Sequence, residues 1–569
     1  MLKEHPKGLF VALFANMGER FGYYTMLAIF VLFLQAKYGF DYEIASQYFG
    51  IFLAFVYFMP LIGGIVADKF LGYGKTITLG LVVMFLGYVM LAIPTKMDGG
   101  LALVIGALAV ISIGTGFFKG NLQALVGNMY DDPKYSKNRD VGFNIFYMGI
   151  NIGAMFAPTA AGAISNWILK GSGYFYKADI PALAHKFLNG HGGDLISSES
   201  AMTVQQKLTE LATAQGVPFS NLTEFSTNYI NALSESYHWA FGVATISLII
   251  SMLIFKGFKK YYKKADITEK QKAASEEHKN EVVELSPEQT KERLIALGLV
   301  FFVVIFFWMA FHQNGAAMTA FARDYVVDHV GKYTYIAFDL FGLLSIFAAV
   351  IGAIFVFKKS SSSKTKLIGG ITSVVFLVLA YYRIDSYSES NVFTPQMFQH
   401  FNPFFIVALT PVIVGFFNWL RIKGKEPSAP KKIGIGMFIT AGAFIIMLIG
   451  SLSLIGYAPG DIGEIRAPEN VLVSTNWLIG TYLTLTIAEL FLSPMGISFV
   501  SKVAPPKYKG LMQGGWLAAT AVGNYAVALV GFFWNDVQLW VFWGILVVFA
   551  TLSGIFIFSI LKKLENATK

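Results

Sequence analysis

The sequence predicts an all-α, polytopic membrane protein with about fourteen transmembrane helices. Hydrophobic residues make up 55% of the 569 residues and charged residues only 14%, whereas a soluble protein carries roughly 25% charged residues. The apolar residues gather in runs of the length that a bilayer requires, about 20 residues each. Lys and Arg are concentrated in nearly every second segment between these runs, which is the pattern that orients a membrane protein.

The apolar runs give the number of spans. The clearest are residues 9–34, 404–420 and 540–561. The first run is too long for a cleavable signal peptide and lacks a small-residue cleavage site, so we expect it to stay in the membrane. The other runs begin near Ile44, Thr76, Leu101, Val141, His238, Leu294, Thr334, Leu367, Ile433, Asn476 and Leu511.

The distribution of positive charge predicts the orientation. With the N-terminus inside, 32 Lys and Arg side chains fall in cytoplasmic segments and 10 in external segments, while Arg20 and Lys119 fall inside spans. This positive-inside pattern predicts a multi-pass protein of the cell inner (plasma) membrane with both termini in the cytoplasm. The net charge of +9 therefore reflects topology, and we expect no nucleic-acid partner. The chain has no cysteine, which excludes disulfides and thiolate metal sites.

Polar segments divide the chain into two halves. Residues 171–237 form a long external insert, and residues 258–292 form a cytoplasmic linker that is rich in Lys and Glu. The linker separates six spans from eight. We therefore predict an N-terminal six-helix bundle over 1–257 and a C-terminal six-helix bundle over 293–569, with an extra transmembrane hairpin at 334–382. Two six-helix halves are typical of the major facilitator fold.

The first span carries charged and polar side chains at mid-membrane depth, where each charge costs about 2.5–3.5 kcal/mol. Helical spacing places Asn16, Arg20 and Tyr24 on one face, with Glu19 and Tyr23 beside them. Charges in such positions usually mark a functional site. The alternative is that Glu19 and Arg20 only neutralise each other as a packing clamp.

Three later spans carry further ionisable groups. Lys119 lies in the fourth span, within the sequence GTGFFKGN, and Glu489 lies midway along the tenth core span, followed by Ser493. His312 lies deep in the seventh core span, one turn after Trp308. Lys119 and Glu489 have no obvious local partners, so we predict that these groups face a shared polar cavity.

The segments around these residues resemble the motifs of one transporter family. Residues 16–24, NMGERFGYY, resemble the ExxERFxYY motif of the proton-dependent oligopeptide transporter family, and GGIVADKFLGYGK at 63–75 resembles its form of the loop motif after the second span. Spans four, five, eight and ten resemble four further motifs of the family: GTGFFKGNLQALVGNMY at 114–130, FYMGINIGAMFAP at 146–158, FQHFNPFFIVALTP at 398–411 and AELFLSPMGISFVSKVAP at 488–505. The six matches, in order, cover nearly the whole transport core.

This resemblance implies a secondary active transporter that imports di- and tripeptides by proton symport, with alternating access around a central bipolar pocket. Arg20 and Lys119 match the residues that receive the peptide carboxylate, and Glu489, Asn151 and Asn402 match those that receive the amino group. The other pocket candidates are Tyr23, Tyr24, Tyr57, Trp308, Ser493 and Trp516. Asp68 and Lys69 in the loop motif are the gating candidates. We expect a monomer in the lipid bilayer, with no cofactor or metal.

The residues themselves favour the same substrate class. A zwitterionic peptide needs a cation at one end and an anion at the other, in a water-poor site where charge-assisted hydrogen bonds are strong. The fourth and tenth core spans are counterparts in the two halves, and they carry Lys119 and Glu489. Opposite charges at equivalent positions predict a pocket that is positive on one side and negative on the other.

The chain departs from the family pattern at three positions, of which the first two concern proton coupling and the third concerns the bending of the fourth span. The first acidic residue of ExxER is Asn16, the acidic residue expected on the seventh core span is His312, and the Pro expected after the span-four Lys is Gly120. The ordinary pKa of histidine lies close to neutral, so we predict that His312 does part of the coupling work. The alternative is a hydrogen-bonded core histidine. The proton-coupling candidates are Glu19, Arg20, Lys119, His312 and Glu489.

Three other functions are weighed against peptide transport. A major facilitator carrier for another solute, such as nitrate, a drug or a different zwitterion, shares the fold, although Glu489 would repel a plain anion. A membrane enzyme is disfavoured because no HExxH, Ser-His-Asp or metal-ligand set falls at membrane depth. A channel is disfavoured because opposite charges at mid-depth impede ion flow.

Overall fold

The protein is almost entirely helical. The computed structural model describes residues 4–97, 99–196, 202–268, 285–463, 465–505 and 508–567, and residues 269–284 of the predicted linker lie outside this part. Within it, the one β-sheet has two antiparallel strands of two residues each, and His329–Val330 pairs with Asn391–Val392. The prediction of an all-α polytopic protein is confirmed.

The described residues of the first half form six long helices. They are α1 (Lys7–Tyr38), α2 (Tyr42–Val66), α3 (Tyr73–Ala92), α4 (Leu101–Met129), α5 (Arg139–Gly171) and α6 (Leu222–Gly257). Helix α1 packs against α5 and α6, and α4 packs against α2 and α3. A π-helical turn, Ala67–Leu71, follows α2.

Eight long helices lie in the part of the second half that the structure describes. They are α7 (Pro287–Phe311), α8 (Leu340–Phe357), α9 (Ser363–Asp385), α10 (Phe401–Ile422), α11 (Ala429–Gly450), α12 (Thr475–Val503), α13 (Lys509–Gly531) and α14 (Leu539–Ser559). Helix α11 packs against α12 and α14, α7 against α13, and α10 against α12. Between the halves, α2 packs against α13 and α5 against α10.

Thirteen helical segments of the described chain are long and apolar enough to cross a membrane. The predicted span near Leu511 corresponds to α13, which is 23 residues long and is not among the thirteen. Its apolar character is reduced by polar residues such as Gln513 and Asn524. It nevertheless packs lengthwise against α2 and α7, as a core helix of a bundle does.

Helix α6 begins well before the predicted span. Residues 222–237, which we expect to belong to the external insert, form the first four turns of α6. The cause is local, because the Asn221 side chain accepts a hydrogen bond of 2.9 Å from the Glu224 backbone N–H and so caps the helix. Helix α6 has 36 residues, a length of about 54 Å, so it extends beyond a hydrocarbon core of about 30 Å.

We call the end of the bundle that carries the insert the insert side, and the end that carries both termini the terminal side. Several contacts between the halves lie at the insert side. Arg323 donates to the Gln35 side chain at 2.8 Å, and the Tyr42 hydroxyl donates to Gln313 at 3.4 Å. The Tyr42 ring also lies 4.7 Å from that of Trp534. The structure is therefore closed at the insert side.

Short helices of the insert, Asp179–Lys186 and Val204–Gln215, cover the closed side. His185 shares a 2.9 Å hydrogen bond with the carbonyl of Ala36 at the end of α1. Its ring packs on Gly39, whose φ of 63° and lack of a Cβ permit this close approach. Lys177 lies 3.9 Å from Asp328 of the second half. The insert thus contacts both halves.

Asp179 is expected to make the stability of the protein depend on pH. Burial raises the pKa of its carboxyl to about 6, with Arg466 opposing the rise and Asp324 adding to it. An acid whose pKa is raised on folding costs stability as pH climbs from about 4 to 6, and the full cost is present above pH 6. Asp179→Asn is therefore expected to raise the melting temperature at pH 7.5 and to change it much less at pH 4.5.

The matched control is Asp194→Asn, since the Asp194 side chain is 65% exposed. It should leave the melting temperature unchanged at both pH values. An equal shift by Asp179→Asn at the two pH values would contradict this assignment.

The extra hairpin, α8 and α9, packs on the outside of the bundle. Leu340 of α8 is buried against Met155 of α5 and Phe404 of α10, and the Phe347 and Phe404 rings lie 5.6 Å apart. Most apolar side chains of α9 are exposed, which fits contact with lipid. The hairpin therefore lies at the seam between the two halves.

Candidate functional site

Glu19 and Arg20 form a buried pair in the middle of α1. Arg20 donates from Nε and Nη2 to the two carboxylate oxygens of Glu19, at 2.5 and 2.6 Å. The side chains are 1% and 4% exposed. The Arg20 guanidinium lies 4.5 Å from the centre of the Tyr23 ring. This geometry fits the alternative in which Glu19 and Arg20 only neutralise each other. It leaves Nη1 of Arg20 as the group that could still reach a ligand.

Lys119 of α4 is held differently. Its Nζ lies 3.8 Å from the centre of the Tyr57 ring on α2, a cation–π contact. In the part of the chain that the structure describes, Lys119 forms no ion pair with a carboxylate. An ammonium group that is partly buried without a carboxylate is available for an anionic group of a ligand.

Aromatic rings connect Lys119 to the second half. On the side of α7, Tyr57 lies 6.5 Å from Trp308 and 6.1 Å from His312. The Trp308 and His312 rings stack at 5.2 Å. The structure thus brings the predicted residues Lys119, Tyr57, Trp308 and His312 into one cluster.

His312 lies where α7 is interrupted. A 3-10 turn, His312–Gly315, separates α7 from the helix Ala317–Asp324. The His312 Nδ1 is 3.3 Å from the carbonyl oxygen of Trp308. This contact fits the alternative in which His312 is a hydrogen-bonded core histidine. A break in a helix frees backbone groups and permits bending at that point.

Glu489 of α12 is held by neighbouring polar residues. Asn402 of α10 donates from Nδ2 to the Glu489 Oε2 at 3.0 Å and to the Thr486 Oγ1 at 3.1 Å. Thr486 was not among the sequence candidates. Its position in the sequence could have indicated it, because a residue three positions before Glu489 lies on the same face of a helix.

Four other predicted pocket residues, Tyr24, Trp516, Ser493 and Asn151, have the following surroundings. The Tyr24 ring lies 5.2 Å from that of Tyr23, and the indole of Trp516 fills the space left by Gly496 on α12. The Ser493 hydroxyl is buried and has no partner among the described residues. Asn151 donates to the Tyr147 carbonyl of its own helix at 3.2 Å and, within the described part of the chain, forms no hydrogen bond with Glu489 or Asn402.

The loop-motif residues lie apart from the pocket, at the terminal side. Asp68 accepts a hydrogen bond of 2.9 Å from the Tyr73 hydroxyl, and Lys69 is exposed. The backbone N–H of Gly74 donates to Asp266 at 2.8 Å, so the segment after α6 folds back onto the start of α3. No set of three His, Asp or Glu in the described residues could hold a metal ion.

The site therefore has opposite charges on its two sides. Lys119 lies in α4 of the first half and Glu489 in α12 of the second, each well inside a helix of 29 residues. Among the described residues the two do not pair with each other. Such an arrangement suits a solute with an anionic and a cationic end.

Comparisons with known proteins agree on one transporter family. A sequence model of the POT family matches residues 74–280 and 370–539. An uncharacterized transporter of Bacillus subtilis is 26% identical, over 99% of this chain and 95% of that protein. A peptide transporter of Yersinia enterocolitica is 25% identical, over 93% of this chain and 88% of that protein.

Solved structures of similar fold are also transporters. A variant of a POT peptide transporter, crystallised with alafosfalin, matches with a TM-score of 0.64 at 21% identity, over 99% of this chain and 96% of that one. A POT family transporter crystallised with 5-aminolevulinic acid matches with a TM-score of 0.63 at 18% identity, over 99% and 97%. At these identities the likeness shows the fold.

Proposed function

The chain belongs to the POT family, and we propose that it is a secondary active transporter that imports di- and tripeptides by proton symport. The observation that carries this proposal is the placement of Lys119 and Glu489 on opposite halves of the bundle, unpaired with each other. The protein acts as a monomer in the inner membrane. Its terminal side faces the cytoplasm, in line with the positive-inside distribution of Lys and Arg.

The pocket recognises the two ends of the peptide. Lys119 receives the carboxylate, with Arg20 nearby, and Glu489 receives the ammonium group together with Asn402 and Asn151. Charge-assisted hydrogen bonds of this kind are strong where water is excluded. The aromatic side chains around the charges contact the peptide side chains, and they discriminate weakly among apolar groups. The pocket therefore accepts many peptides while requiring both free ends.

Transport proceeds by movement of one half against the other. The closed contacts at the insert side, such as Arg323 with Gln35, must break for a peptide to reach the pocket from that side. Contacts at the terminal side, where Asp68 and Lys69 of the loop motif lie, take their place. The peptide is then released when the insert side closes again.

Protons act on the charged groups of the pocket. Glu19 and Arg20 neutralise each other at present, so protonation of Glu19 would free the guanidinium for the peptide carboxylate. A protonated His312 would repel the Lys119 side of the cluster and favour the Glu489 side. Either event changes the energy of the state that is closed at the insert side relative to the state that is closed at the terminal side. Coupling requires only such a change.

His312→Ala is expected to lose pH-driven accumulation of dialanine while keeping peptide counterflow at equal pH. The reason is that counterflow needs only binding and alternating access, whereas accumulation needs the proton. Glu19→Gln, measured in the same two assays, serves as the comparison. Full accumulation by His312→Ala, with loss in Glu19→Gln, would leave Glu19 as the sufficient group and would refute the role of His312.

The function itself is tested by uptake of labelled dialanine into proteoliposomes. We expect accumulation when the interior is made alkaline relative to the exterior, and none when a protonophore removes the gradient. Uptake that is insensitive to the gradient would contradict symport. Absence of dialanine binding by the folded protein would contradict peptide transport.

A further inference from the structure

The amino-end side of the pocket contains an amide whose orientation is fixed by two neighbours. Asn402 uses Nδ2 to donate to both the Glu489 Oε2, at 3.0 Å, and the Thr486 Oγ1, at 3.1 Å. A carboxamide nitrogen has two hydrogens, so both are used. The Asn402 Oδ1 and the Glu489 Oε1 accept no hydrogen bond from the residues that the structure describes.

The Thr486 hydroxyl can act only as an acceptor toward Asn402. It is fully buried, and it donates its hydrogen to the carbonyl oxygen of Tyr482, one turn earlier in α12, at 2.7 Å. A hydroxyl has one hydrogen, so lone pairs are what it presents to Asn402. Thr486 and Glu489 together present acceptors only, and this polarity selects the amide orientation in which the nitrogen faces α12 and the oxygen faces away.

We propose that Thr486 is a positioning residue for recognition of the peptide's amino end. By fixing the Asn402 amide, it leaves the Asn402 Oδ1 and the Glu489 carboxylate as a pair of acceptors for the ammonium group. The inference rests on the proposed function, because it assigns a role within the peptide pocket. Thr486 acts through Asn402 and does not touch the peptide.

Thr486→Val removes the hydroxyl and keeps the shape of the side chain. The amide of Asn402 then loses one of the two acceptors that fix it, and it can turn its nitrogen toward the ammonium group. Because hydrogen bonds to charged groups are the ones affected, we expect the KM for dialanine to rise about tenfold, with little change in the maximal rate. The preference for a free amino end should fall with it.

The experiment measures dialanine uptake, and its inhibition by unlabelled dialanine and by N-acetyl-dialanine, in proteoliposomes. Thr486→Ser keeps the hydroxyl and should restore the KM and the preference. Thr484→Val is the matched control, since the Thr484 hydroxyl makes the same bond to its own helix, at 2.8 Å to the Gly480 carbonyl, without contacting Asn402. If Thr486→Val only destabilised the fold, it would lower the amount of folded protein and leave the preference for a free amino end intact.

A second comparison tests the route through Asn402. In an Asn402→Ala background, Thr486→Val should change the KM little, because coupled residues are not additive. Wild-type KM and preference in Thr486→Val, or the same loss in Thr484→Val, would overturn the positioning role while leaving peptide transport intact. Failure of the wild-type protein to take up dialanine would overturn the proposed function and this inference together.

Discussion

Lys119→Ala is expected to lower dialanine uptake by about a hundredfold at concentrations below the KM. Removal of one member of a buried charge pair leaves the other charge unpaired, and this typically costs 2–5 kcal/mol. Here the unpaired group is the peptide carboxylate. Arg20 is engaged by Glu19 through two hydrogen bonds until that carboxylate is protonated, so it is not expected to make up the whole loss.

The control for this variant is Lys170→Ala, which removes an exposed lysine at the end of α5. Uptake by this variant should equal that of the wild type. Near-normal uptake by a folded Lys119→Ala protein would contradict the assignment of the carboxylate end of the pocket to Lys119.

A disulfide between α2 and α13 is expected to stop transport. A Cβ built on Gly50 would lie 3.0 Å from the Cβ of Ala528, so the two helices must move apart by about 0.5 Å to reach the Cβ–Cβ separation of about 3.5–4.5 Å found in disulfides. Gly50→Cys with Ala528→Cys would join the two halves near the insert side, where they must separate. The chain has no cysteine of its own, so this would be its sole disulfide.

The reduced form of this double variant should transport dialanine, and oxidation should abolish uptake until a reductant is added. The matched control joins α3 to α6 within the first half with Ala92→Cys and Gly242→Cys, since a Cβ built on Gly242 would lie 3.8 Å from the Cβ of Ala92, within the range found in disulfides. Oxidation of this control should leave uptake intact. Uptake that persists in the oxidised α2–α13 variant would contradict opening at the insert side.

Hydrophobicity and charge alone predicted most of the fold. The apolar runs correspond to the long helices because a membrane segment must satisfy its own backbone hydrogen bonds and present apolar side chains to lipid. Hydropathy did not predict that α6 begins at Leu222, because its first turns, 222–237, carry polar residues. Their helical state depends on a cap at Asn221 and on packing against the insert, which hydropathy does not report.

The candidate site was predicted in part. Mid-span charges identified Glu19, Lys119 and Glu489, since burial of a charge in lipid is costly and is kept where function needs it. Which groups touch depends on the rotation and depth of each helix, and one sequence does not specify either. The contacts of Asn402 with Thr486 and of Lys119 with Tyr57 therefore emerged only with the structure.

The claim that a pocket with opposite charges recognises both ends of the peptide is tested most directly by competition for labelled dialanine uptake. The competitors are unlabelled dialanine, its C-terminal amide, which lacks the carboxylate, and its N-acetyl form, which lacks the ammonium group. We expect strong inhibition by dialanine and at least tenfold weaker inhibition by each blocked peptide, because each leaves one charged group of the pocket unpaired. Equal inhibition by all three compounds would contradict recognition of both peptide ends by Lys119 and Glu489.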